Sequence, residues 1–266
     1  MEYYLQHHGI LGQKWGVRRF QDKDGHHTKL GKRRYFALEK KKVTDKLTTS
    51  TEPFEKKPLS ISDVKARGHL TTKEAQECSK LAKDIFKHAA DVEPSITKDV
   101  LGTGAQMYGL EYRLKQPTSL AAKIGSDAKE KGLSFKEVAS GINDSIRYTT
   151  VASEKDFVNN YDKVKSDLQS KGYEEIKCKN YFEKYRAGEV QHKAVQSTYS
   201  DPYGNTFEVQ FQTPASQAVK ELKIPLYEER RKTDTSETRK VELEREMHNL
   251  AEMVPYPNDI SKIKSH

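Results

Sequence analysis

The 266-residue chain reads as an α+β protein: a mixed β-sheet flanked by helices, preceded by a basic, largely extended N-terminal region and ending in a long charged helix. Three observations predict this. Helical periodicity comes first, and strand-like segments interleaved with helices follow it. The apolar share is 34% against 32% charged, enough for one good core plus solvated sequence but too polar for two large cores. The charge is also partitioned, because residues 1–68 hold 16 Lys and Arg against 8 Asp and Glu, whereas residues 69–266 hold 31 of each. Such a basic leader can bind nucleic acid by counterion release or serve as a solubilising linker. No apolar run approaches the ~20 residues that cross a bilayer, and MEYYLQHHGI lacks the apolar stretch of a signal peptide. Synthesis in the cytosol and no membrane partner are therefore expected.

Residues 1–36 form a motif-like block with the single tryptophan, Trp15, among Gly9, Gly12 and Gly16. Glycines around one aromatic allow tight turns about an anchor, which suits a docking peptide better than a core. His7, His8, His26 and His27 lack the cysteine or acidic partners at fixed spacing that a metal site needs. The run HHGILGQKWGVRRF, followed by DG and KLGKRRY, resembles an N-terminal element of phage and prophage virion-associated proteins of Gram-positive bacteria. That resemblance implies a phage protein, located in the host cytoplasm or the virion, with capsid or other virion proteins as partners of residues 1–36. Residues 37–68 (KKK, TTST, PFEKKP) show little periodicity and read as a basic linker, mobile or weakly helical.

The folded domain is expected over 69–230. Thr71 and Glu74 make a capping box, and Ala75, Cys78, Ala82, Ile85 and Ala89 share a helical face. Pro94 divides this helix from a second helical segment that runs toward Leu110, and Pro117 opens another on which Ser119 and Lys123 lie one turn apart. IRYTTV (146–151) is a β-branched strand. A helix capped by Ser153 follows, with the apolar stripe Phe157, Tyr161, Val164 and Leu168. YEEIKCKN is a further strand with Lys177 and Lys179 on one face and Ile176 and Cys178 at the alternate positions.

His192–Ser200 and Asn205–Gln212 form a hairpin closed by Asp-Pro-Tyr-Gly. Within it, FEVQFQT puts Glu208, Gln210 and Gln212 on one face and Phe207, Val209 and Phe211 on the other. Thr213 caps a helix beginning at Pro214, and a charged helix runs from Leu226 to about Met253, so 231–266 is a charged helix and tail. Cys78 and Cys178, a hundred residues apart in periodic segments, are expected as buried small hydrophobes.

Phosphoryl chemistry needs cations on the non-reacting phosphates and carboxylates that hold Mg²⁺. Arg113, Lys115 and Lys123 supply the first type of group, Asp144 and Glu208 the second. In isolation each pair has a plainer reading as solvated surface charge. Together, Arg113-x-Lys115, Ser119, Lys123, Asp144 ahead of Arg147, Lys179-Asn180-Tyr181, and Glu208-x-Gln210-x-Gln212-Thr213 resemble the RelA/SpoT-like pyrophosphokinases that make alarmone nucleotides, in their toxin-like branch.

The resemblance spans about Thr71 to Arg230 and implies a nucleotidyltransferase-like sheet that transfers pyrophosphate from ATP to a nucleotide or tRNA 3′ hydroxyl. It implies that Arg113, Lys115, Ser119 and Lys123 bind ATP phosphates, that Asp144 and Glu208 act as catalytic carboxylates holding Mg²⁺, and that Lys179, Tyr181, His192 and Gln210 bind the acceptor. The chain departs from the family at Gln212, where an arginine is usual, and in the short Asp144 to Arg147 spacing. His69 and His88 lack the aspartate partner of the family's hydrolase motif, so product hydrolysis is not expected. The contrasting expectation is a non-enzymatic minor virion or head protein that retains the fold.

Overall fold

The computed structural model describes residues 28–186, 192–230 and 235–266. Most of the 1–36 block, including Trp15 and the four early histidines, lies outside the described residues. The sheet contains β1 (Arg147–Val151), β2 (Glu174–Asn180), β3 (Val195–Ser200) and β4 (Thr206–Gln212) in the order β1-β4-β3-β2. β1 runs parallel to β4 and the other pairs are antiparallel, so the expected mixed α+β sheet is the one observed. At the β3–β4 turn, Asp201 Oδ1 accepts from the backbone N–H groups of Tyr203 (2.9 Å) and Asn205 (2.8 Å), and Gly204 adopts φ 86°.

Side-chain alternation splits the sheet into two faces. Tyr148, Tyr199, Phe207, Val209 and Phe211 are buried on one, against α6 (Phe157–Ser170), whose predicted stripe Phe157, Tyr161, Val164 and Leu168 is buried throughout. Edge-on ring pairs hold this layer: Tyr161 with Phe211 at 5.0 Å and Tyr173 with Phe207 at 5.4 Å. The opposite face carries Arg147, Gln196, Thr198, Glu208, Gln210 and Gln212 in register.

The helices preceding the sheet are α1 (Lys29–Asp45), α2 (Ile61–Gly68), α3 (Thr72–Leu101), α4 (Pro117–Lys131) and α5 (Phe135–Ser140). The Thr71–Glu74 capping box is present, and both cysteines are buried and free. Several expectations are corrected. The basic region is not extended across its length: α1 crosses the expected boundary at residue 36, because Val43 packs with Val151 and Ala218 from distant parts of the chain. The stretch that follows is tied down, with Thr48 and Met107 exchanging backbone hydrogen bonds at 3.0 and 2.8 Å and Lys57 N–H donating to Gln116 Oε1 at 2.9 Å.

Pro94 does not divide α3. It removes one hydrogen bond, but Ala89, Ile96 and Val100 continue one buried face across it. Ile176 does not share a face with Cys178: a bulge between Glu175 and Lys177 leaves Ile176 48% exposed and turns Glu175 inward. The long charged helix is two helices, α8 (Pro214–Arg230) and α9 (Glu237–Glu252), the second capped by Ser236 and lying back on the first through Arg230–Glu244 and Arg239–Glu229 ion pairs. Between β2 and β3 lies α7 (Tyr181–Arg186). The C-terminal segment is not a free tail: Asn180 Nδ2 donates to the carbonyls of Ile260 and Ile263, and residue 266 pairs with β2. No helix among the described residues is long and apolar enough to cross a membrane.

Candidate active site

Two clusters of charge lie on the polar side of the sheet, and a cavity adjoins the second of them. The first surrounds Asp144, at the entry to β1. Lys115 Nζ donates to its Oδ2 at 2.6 Å and Lys123 Nζ to its Oδ1 at 2.8 Å. The local folding explains the convergence. Lys115 N–H bonds to Ser145 O at 2.9 Å, which lays this segment beside the start of β1, while Pro117 at the first position of α4 brings Lys123 round on the second turn. Burial of Asp144 would raise its carboxyl pKa, but the two lysine charges outweigh that and hold it at about 2. Burial lowers the Lys115 ammonium, opposed by Asp144 and reinforced by Lys123. Ser119 is half-buried nearby, accepting from Arg67 Nη1 at 3.4 Å.

The second cluster lies on β3, β4 and α8. Glu208 Oε1 accepts from Gln210 Nε2 at 2.5 Å, and Gln210 Oε1 accepts from Lys220 Nζ at 2.7 Å. Tyr181 and His192 lie against each other with ring centres 4.0 Å apart and planes tilted by 43°, and Lys179 Nζ lies 5.9 Å from the Tyr181 ring centre. His192 is exposed, yet desolvation, then the charges of Lys223, Lys220 and Lys179, lower its imidazole pKa to about 4. Burial, with the charge of Arg147, brings Lys220 to about 8; burial and Lys193 do the same to Lys223. Arg147 links the clusters: its charge acts on both Lys115 and Lys220, and it pairs with Glu208 across the parallel strands. A cavity of about 1180 Å³ extends from the second cluster, between the polar face of the sheet, α8 and α9, with His192, Gln210, Gln212 and Lys220 among its lining.

Of the residues singled out in the sequence, Lys115, Lys123 and Asp144 are brought together directly, and Lys179, Tyr181, His192, Gln210 and Glu208 form the neighbouring group. Arg113 is a correction. Its Nε donates to Glu93 Oε1 at 2.5 Å and its Nη1 to the carbonyls of Glu52 (2.7 Å) and Leu110 (3.0 Å), so the guanidinium is spent on buried structure. The reason is its backbone: Arg113 is in the helical region (φ −62°, ψ −28°) after a short 3₁₀ turn, so strand alternation does not place it beside Lys115.

Arg147, Lys220 and Lys223 are further cations on this side of the sheet that sequence reasoning assigned no role. Lys220 and Lys223 had a readable signal, three residues apart on the helix that Thr213 opens. The Gln212 amide oxygen is taken up locally, where Oε1 accepts from the Ser216 hydroxyl. Asp144, held ionised, and Glu208, half-buried on the polar face, are oxygen donors of the kind that suits a hard divalent cation such as Mg²⁺, although both Asp144 oxygens here accept from lysines.

Among solved structures the chain is similar to small alarmone synthetase 1 from Bacillus subtilis bound to its product pppGpp, at 16% identity and a TM-score of 0.39, over 56% of this chain and 74% of that one. It is also similar to a GTP pyrophosphokinase family protein from Streptococcus pneumoniae, at 16% identity and a TM-score of 0.38, over 65% of this chain and 85% of that one. No protein-family model and no curated protein matches the chain.

Proposed function

We propose that this chain is a RelA/SpoT-like pyrophosphokinase, of phage or prophage origin, that transfers the β,γ-pyrophosphoryl group of ATP to a hydroxyl of a nucleotide or of a tRNA 3′ end. The observation that carries this reading is the Asp144 carboxylate held between Lys115 and Lys123, three residues ahead of Arg147, which stands in register with Glu208 of β4. Cations beside carboxylates on a polar sheet face are what phosphoryl chemistry requires, since catalysis there is mostly positioning and charge stabilisation.

In this mechanism Lys115, Lys123 and Arg147 bind the polyphosphate, with Ser119 contributing a hydroxyl. Lys179, Tyr181, His192 and Gln210 orient the acceptor, whose base stacks on the Tyr181–His192 pair. Lys220 contributes a cation beside Gln210, on the side where Gln212 brings none. Glu208 accepts the proton of the acceptor hydroxyl as its oxygen forms a bond to the β-phosphorus; the bond from that phosphorus to the α,β-bridging oxygen breaks, and AMP leaves with the bridging oxygen. Asp144 and Glu208 would hold Mg²⁺, which supplies charge neutralisation on the phosphate oxygens.

The test is AMP release from labelled ATP with Mg²⁺, offering GDP, GTP, ADP and bulk tRNA in turn to the wild type and to Glu208→Gln. Acceptor-dependent release that Glu208→Gln lowers by ~10²–10⁴-fold is expected, the range for loss of a general base. No release with any acceptor from folded protein, together with no ATP binding, would overturn the assignment.

A further inference from the structure

The opposite face of the sheet carries a separate cluster of ligating groups. Glu175, Cys178 and His266 each offer one ligand atom, and these atoms all lie within 4.8 Å of one another. Two backbone devices build the cluster. Residues three apart on a regular strand point to opposite faces, but the bulge between Glu175 and Lys177 turns Glu175 and Cys178 to the same side. Cys178 and His266 also exchange both backbone hydrogen bonds, N–H of 178 to O of 266 at 3.1 Å and the reverse at 2.9 Å. That is the hydrogen-bonded pair of an antiparallel ladder, in which the two side chains stand next to each other on one face.

One of the three separations already has the value a tetrahedral ion needs, and the others lie within 4.8 Å. Metal–ligand distances of about 2.0–2.3 Å put neighbouring ligand atoms about 3.3–3.8 Å apart, and Glu175 Oε2 lies 3.7 Å from His266 Nε2. The Tyr161 hydroxyl oxygen lies 2.9 and 3.0 Å from the two Glu175 oxygens and 3.6 Å from Cys178 Sγ, so the carboxylate and the sulfur flank the same hydroxyl. The Glu175 side chain is 1% exposed, and the lysine paired with it, Lys165, is 31% exposed on a flexible stem that can turn to solvent. His266 is exposed, which leaves a route in from solvent. Sulfur, imidazole and carboxylate together favour a borderline-soft ion over Mg²⁺ or Ca²⁺.

We propose that Glu175, Cys178 and His266 form a binding site for a Zn²⁺-type divalent ion, which fastens the C-terminal segment to the outer edge of β2. Binding converts the Cys178 thiol to a thiolate with release of one proton, and moves the Lys165 ammonium off Glu175. The site is on the sheet face away from the two charge clusters and does not rest on the pyrophosphokinase assignment.

The experiment titrates the full chain, freed of metal by a chelator, with Co²⁺ and then competes with Zn²⁺. One Co²⁺ per chain with a thiolate-to-cobalt charge-transfer band, displaced by Zn²⁺, is the expected result. Histidine pairs elsewhere in the chain cannot give that band without a thiolate. The band should vanish in Cys178→Ser and persist in Cys78→Ser. In His266→Ala, an exposed change that leaves the core packing alone, affinity should fall by at least the ~10–100-fold that loss of an outer-shell partner costs. Absence of the band in the wild type, or a band of undiminished affinity in His266→Ala, would overturn the proposal.

Discussion

Arg113 and Lys115 are two residues apart, both cationic and both paired to a carboxylate, yet they belong to different parts of the molecule. The Arg113–Glu93 pair is 9% and 7% exposed and joins α3 to the strap of chain before α2. Lys115 is 17% exposed and shares Asp144 with a second lysine that is 31% exposed. One carboxylate has a single cation and both are almost fully buried; the other has two cations, one of them partly open to solvent. The first arrangement fixes structure, because neither partner can be exchanged, while the second has a surplus of positive charge that a phosphate can take over. A motif read as one unit from its spacing is divided by a single helical φ/ψ.

Substitutions on each side of this division test it. Arg113→Ala should cost the most stability, about 3–5 kcal/mol in urea denaturation, because it leaves the Glu93 carboxylate buried without its cation. A loss near zero would erase the distinction. Lys115→Ala leaves Asp144 with Lys123 and should cost only about 1–3 kcal/mol, while lowering AMP release by ~10²–10³-fold, as removal of one electrostatic donor does. If the two variants lose stability alike, Lys115 is structural as well.

Asp144 makes a pH prediction. Its carboxyl binds a proton less readily in the folded chain, at about 2, than unfolded, near ~3.9. Its contribution, about 2–3 kcal/mol, is therefore complete above the unfolded value and lost as pH falls through the folded one. Acid unfolding of Asp144→Asn should lack that share of the slope between pH 4 and 2; an unchanged slope would mean the clamp carries no linkage. The smallest effect is expected at the α8–α9 contact, where Arg239 is 30% exposed among Glu229, Glu242 and Glu246. Arg239→Ala should cost at most ~1 kcal/mol, and a larger loss would mark this surface network as a structural joint comparable to Arg113–Glu93.

Much of the fold was readable because local rules and tertiary packing agree in this chain. FEVQFQT alternates as a half-polar strand should, the α6 stripe is buried as spaced, and the Thr71–Glu74 and Thr213 caps start their helices. What escaped depended on partners far away in sequence or on one unusual backbone residue. α1 has a single fully buried apolar side chain on the sheet side, Val43, and owes its place to Val151 and Ala218. Ile176 lost its expected face to a bulge that no local residue announces. The spacing that grouped Lys115, Lys123 and Asp144 matches residues that touch in the fold; Arg113 was grouped with them because spacing alone cannot report a turn of the chain.

Parallel pairing of β1 with β4 joins Arg147 to Glu208 across about 60 residues of intervening chain. Before that loop closes, a growing polypeptide can assemble Asp144 with its two lysines but has no partner strand to bring Glu208 to them. Distant contacts of this kind form slowly, since closure entropy is lost before any pairing is gained. A nascent or proteolytically shortened chain that stops before β4 therefore lacks Glu208, Gln210 and Lys220 on the polar side of the sheet, however much of its helical part has already formed.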